Sequence, residues 1–139
     1  MNEPTPDSPA EKANTRLFRV RRVLAAGSLV FGLSALTLIL FPAFFNSLLG
    51  LQTSTALEWA MRMIGITLVA LAGNMFSVSR WGSPHSVRAS GWVMLFSAAG
   101  LGVLTLVIPA HLNWFTIAYS AVGFGFSLAY LWALVSKRT

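Results

Sequence analysis

Four stretches of the chain contain little but apolar residues, and the polar positions are gathered between them. They cover residues 23–45, 57–79, 89–108 and 114–135. A helix crosses the bilayer's hydrocarbon layer, about 30 Å deep, in roughly 20 apolar residues, so each stretch is long enough to span it. No ionisable side chain falls between Val23 and Leu57, and from Ala89 to Ser136 only His111 can carry charge. Strands of a membrane barrel would alternate polar and apolar positions, and these stretches do not. Where no water can satisfy the backbone, helices are then the structure that spans. The pattern predicts an all-α polytopic membrane protein, a four-transmembrane-helix bundle over residues 23–135. Residues 1–22 form a polar tail whose proline-rich first part, Met1 to Asn14, has nothing to bury and is expected to be disordered. Its basic second part, Thr15 to Arg22, is expected to lie against anionic headgroups, and residues 136–139 form a short basic tail. The first apolar stretch reads as a retained span rather than a cleaved signal, since it is long and follows a polar tail.

Composition agrees, with 55% hydrophobic and 10% charged residues in a chain of 139 and a mean hydropathy of +0.68. A soluble core does not hide this much apolar surface. The net charge of +6 would suit nucleic acid if the basic residues were clustered, but they flank the spans. Lys12, Arg16, Arg19, Arg21 and Arg22 precede the first, Arg80 and Arg88 separate the second and third, and Lys137 and Arg138 follow the fourth. An even number of crossings places all of these on one side, which the positive-inside rule makes cytoplasmic, with both termini inside. The arginines and Lys137 therefore read as membrane-surface residues, each attracted to anionic lipid by about 1 kcal/mol. The partner they imply is the bilayer, not nucleic acid. Trp59 and Trp114 then fall at the outer ends of spans, and Trp81, Trp92 and Trp132 at inner ends, where interfacial aromatic belts sit.

Polar and small residues inside the spans are the candidates for function. Glu58 and Arg62 stand four apart and share a helix face, in the order that favours an ion pair. They read either as a structural pair finishing the outer lip or as the lining of an outward vestibule. Asn74 lies deeper, and its carboxamide is expected to make an interhelical hydrogen bond. Ser28 and Gly32 are spaced for close helix contact, as are Ala98 and Gly102. Ala121, Gly125, Ala129 and Ala133 recur at every fourth position, which predicts a face turned to another helix, in this chain or in a second copy. Pro42 frees backbone carbonyls near the end of the first span, and the residues after it form either a short interfacial helix or a loop. LTLILFPAFFN, from Leu36 to Asn46, echoes LTLVIPAHLN, from Leu104 to Asn113, through duplication or through a small apolar vocabulary.

Enzymatic chemistry finds few residues to use. There is no cysteine, the two histidines, His85 and His111, fall in connections on opposite sides, and Glu58 is the one acid near a span. No cofactor or metal is implied, and the chain does not read as an enzyme. It reads as an accessory or structural membrane protein acting through helix–helix contacts with other membrane proteins, a second copy or lipids. The alternative is a small oligomeric transporter or channel using Glu58 and Arg62.

The order of Gly32, Pro42, Phe45 and LLGL at Leu48 to Leu51, then Arg62 and Gly65, resembles small bacterial four-helix membrane proteins, broadly DoxX-like. The likeness covers mainly Arg22 to Ser79. It implies a bundle in a bacterial inner membrane and brings no catalytic positions with it.

Overall fold

Pro42 decides where the first long helix stops. In the computed structural model, which describes residues 9–136, α1 spans Pro9–Leu40, α2 Pro42–Leu48, α3 Thr55–Trp81, α4 Pro84–Leu106 and α5 Trp114–Val135. The four long helices are each long and apolar enough to cross a membrane, and the described residues include no strand. The stretch 23–45 is thus divided between α1 and α2 rather than one continuous helix. Proline has no N–H to continue the ladder, so α1 ends at Leu40 and α2 restarts with Pro42 in its first turn, where the missing donor costs nothing. The segment after Pro42 divides the two alternatives: one short helix, then an extended link turned by Gly50 at φ 72°.

A second correction concerns the N-terminal segment. Residues 9–14, expected to be disordered, are the opening turns of α1, and the basic stretch 15–22 continues the same helix. Ala, Glu, Lys and Arg propagate a helix well, and Val20 is buried in the core with Leu17 packed beside it, so tertiary contact holds these turns in line. At 1.5 Å per residue, the part of α1 before Val23 adds about 20 Å to the length needed to cross the hydrocarbon. Residues 1–8 and 137–139 lie outside the described residues, and the expectations for Lys137 and Arg138 lie there with them.

The other helix starts are capped by side chains. Ser54, Ser83 and Asn113 accept the backbone N–H of Leu57, Ser86 and Thr116 respectively, each satisfying one donor that a helix start leaves free. The helices form two antiparallel hairpins, α1 with α3 and α4 with α5. α1 also rests against α5 and α4, whereas α3 and α4 touch only lightly. Val20, Leu24, Met75, Val87, Met94 and Tyr130 are buried together at the basic end. Leu38, Phe45 and Leu49 form a second cluster at the other end, where Phe45 meets Phe115 and Tyr119 edge-on at 5.9 and 5.8 Å.

Between helices in lipid there is little hydrophobic drive, so close packing and hydrogen bonds hold the hairpins. A Cβ added to Gly123 would lie 3.0 Å from the Ala98 carbonyl oxygen and 3.1 Å from the Gly102 Cα, so α4 and α5 meet nearly backbone to backbone. Across that contact Ser120 donates to the Gly102 carbonyl at 2.9 Å and Ser127 to that of Leu95 at 3.1 Å. The outer surface carries Leu33, Leu36, Ile66, Phe96, Leu104 and Leu128 exposed, a surface for hydrocarbon rather than water.

Candidate functional site

The row at every fourth position on α5 does not face one helix of this chain. Each step of four residues turns about 40° past a full circle, so three steps carry the row through about 120°. Ala121 and Gly125 accordingly point outward, Ala129 is half-buried and Ala133 is buried, and a Cβ on Gly125 would meet no atom within 4 Å. The contact with α4 is made instead by Gly123, Ser120 and Ser127. Ala98 and Gly102 are buried beneath them.

Ser28 and Gly32 also face away from the rest of the chain. With Ala25 and Leu29 on α1, and Ala72 and Gly73 on α3, they line an open groove of about 680 Å3 along the outer flank of the first hairpin. A Cβ on Gly32 or Gly73 would meet nothing within 4 Å. The groove is almost wholly apolar, since the Ser28 hydroxyl donates to the Ala25 carbonyl of its own helix at 2.8 Å. Asn74, beside Gly73, is exposed. α3 buries Gly65, Ala72, Met75 and Ser79, which turns Asn74 outward. Among the described residues the expected interhelical hydrogen bond of Asn74 is not made.

Glu58 and Arg62 are half-buried, and the expected ion pair does not form. The Arg62 guanidinium sits over the Trp59 ring, 5.6 Å from its centroid. An exposed cation–π contact contributes about 0.5–1 kcal/mol against roughly 0.2–0.5 kcal/mol for a surface pair of this spacing, so the ring takes the cation.

The basic residues divide by what they touch. Arg21 donates to the Ser79 carbonyl at 2.7 Å and the Gly82 carbonyl at 2.6 Å. It thus closes the C-terminus of α3, where the carbonyls lack partners and the helix dipole favours a cation. Arg19 lies 4.7 Å over the ring of Trp132 and ties α1 to α5. Arg22 and Arg80 lie over Phe18 and Phe76 of their own helices. Arg21 and Arg19 are therefore parts of the fold, not free surface charges. Arg16 and Arg88 line a cavity shared by α1, α4 and α5.

Two asparagines matter that the sequence did not single out. Asn113 accepts from the backbone and hydroxyl of Thr116 at 2.9 and 3.1 Å and donates to the Leu48 carbonyl at 2.8 Å, fastening α2 to the start of α5. An asparagine directly before an apolar run is a helix-start signal that could have marked it. Asn46 is fully buried on α2, and among the described residues its carboxamide oxygen and nitrogen have no partner. Nothing local marks that position, because its burial follows from how α2 folds back. His85 and His111 are both exposed, and no group of three metal-ligating side chains occurs among the described residues. No family model, no curated protein and no solved structure matches the chain, so a functional reading rests on these placements alone.

Proposed function

We propose that this multi-pass membrane protein works by lateral contact, receiving a transmembrane helix of a partner protein in the groove between α1 and α3. The observation that carries the reading is the open space over Gly32 and Gly73, which lets a partner backbone come close where dispersion is the main source of affinity. The basic end faces the cytoplasm by the positive-inside rule, and the DoxX-like resemblance of the first hairpin favours a bacterial inner membrane. Single cysteines at Ser54, Ser83 and Ser136 test that orientation: an impermeant thiol reagent on intact cells labels the first and spares the other two.

Crosslinking in membranes tests the groove. Gly32→Leu with Gly73→Leu fills it and is expected to abolish recovery of the partner, while Gly125→Leu and Glu58→Gln leave recovery unchanged. A crosslinked species of twice the chain mass would identify the partner as a second copy. Recovery undiminished by the filled groove would overturn the reading. Saturable uptake into liposomes that is lost with Glu58→Gln would replace it with the transporter.

A further inference from the structure

We propose that the cavity at the basic end, between α1, α4 and α5, binds the phosphodiester of an anionic phospholipid, with Arg16 and Arg88 as its ligands. The cavity holds about 170 Å3 and is lined by Arg16 and Arg88 together with Trp92, Leu17, Val20 and Leu134. A cavity of about 150 Å3 admits a benzene molecule, so this one has room for a phosphate group but not for a lipid's chains.

Two features assign the ligand. The first is the state of the two guanidiniums. Among the described residues Arg21 is consumed by the end of α3, and Arg19, Arg22 and Arg80 lie over rings, whereas Arg16 and Arg88 have no such partner and no carboxylate lines their cavity. Planar guanidinium forks match phosphate oxygens in pairs, and basic pockets between transmembrane helices are a recurring headgroup site. The second is what leads away from the cavity. Arg88, Trp92 and Phe96 follow one another at every fourth position along α4, and the Trp92 and Phe96 rings stack with centroids 6.2 Å apart. Both rings are exposed, Trp92 by 44% and Phe96 by 68%. The strip thus passes from charge to an interfacial indole to a bare apolar ring, the order of groups along a phospholipid from phosphate to chain. A free phosphate would use only the first part of it.

The probe is phosphatidylglycerol in nanodiscs of phosphatidylcholine, with retained lipid counted by native mass spectrometry of the full chain. The wild type is expected to retain phosphatidylglycerol in preference to phosphatidylcholine. Arg16→Gln with Arg88→Gln is expected to lose at least tenfold more of that preference than Arg22→Gln with Arg80→Gln, which removes the same charge from the same end. Arg88→Gln alone, at an exposed site, preserves the fold and is expected to lose at least threefold. Excess inorganic phosphate is expected to leave the lipid in place. Equal losses in the two double variants would overturn the proposal in favour of general surface attraction. Displacement by inorganic phosphate would overturn it in favour of a soluble anion.

Discussion

Gly123 and Gly125 are two residues apart on α5, yet the structure assigns opposite consequences to the same added methyl group. A Cβ at Gly123 would stand 3.0 Å from the Ala98 carbonyl oxygen and 3.1 Å from the Gly102 nitrogen. Those neighbours are backbone and cannot turn aside, so α4 and α5 must separate by some tenths of an ångström. Overpacking of this kind costs about 1–3 kcal/mol. Separation also stretches the hydrogen bonds from Ser120 and Ser127, at 2.9 and 3.1 Å, which in a bilayer contribute about 0.6 kcal/mol each. Against this, alanine is a better helix former than glycine by about 0.8–1 kcal/mol. Gly123→Ala is therefore expected to destabilise by about 1–2 kcal/mol. Gly125→Ala, with nothing within 4 Å of the new carbon, keeps only the propensity gain and is expected to be neutral or to stabilise by up to about 1 kcal/mol. The assay is reversible unfolding in mixed micelles of mild detergent and dodecyl sulfate, followed by circular dichroism. Equal stability of the two variants, or a greater loss at Gly125, would refute the assigned rotation of α5 and with it the α4–α5 interface.

Three further outcomes are expected. Asn46→Leu removes a buried carboxamide that has no partner among the described residues and should stabilise by about 1–3 kcal/mol; a loss of stability on unfolding in detergent would show that the carboxamide is engaged. Arg21→Gln deletes charged hydrogen bonds to the Ser79 and Gly82 carbonyls, which should cost about 1.5–3 kcal/mol and speed amide exchange in the last turn of α3, whereas unaltered exchange there would contradict the cap. Glu58→Gln and Arg62→Gln should act independently in a double-mutant cycle, with coupling under about 0.3 kcal/mol, while Trp59→Leu should couple to Arg62→Gln.

The number and rough placement of the spans were legible because hydropathy over some twenty residues depends on transfer into lipid and little on neighbours. What the sequence did not carry is the rotation of each helix about its own axis. In a membrane both the buried and the lipid-facing sides are apolar, so the contrast that marks a soluble helix's inner face is missing. α5 illustrates the point: Ala121 and Gly125 look equivalent to Ala133 as letters, yet the first two are exposed and the last is buried. Glu58 and Arg62 were legible as residues of one face, but their pairing was not, because the choice turned on a third side chain, Trp59. Arg21 and Arg16 are indistinguishable within TRLFRVRR. Only the arrival of the end of α3 beside Arg21 separates a structural cation from one left free to meet a ligand.

The two-residue connection of Gly82 and Ser83 obliges α3 and α4 to start side by side, yet they scarcely touch. They therefore diverge from that connection, and each packs against α1 more than against the other. α1 is thus the element that joins α3 to the second hairpin, and a change that loosens it would unfasten the two halves of the bundle from each other.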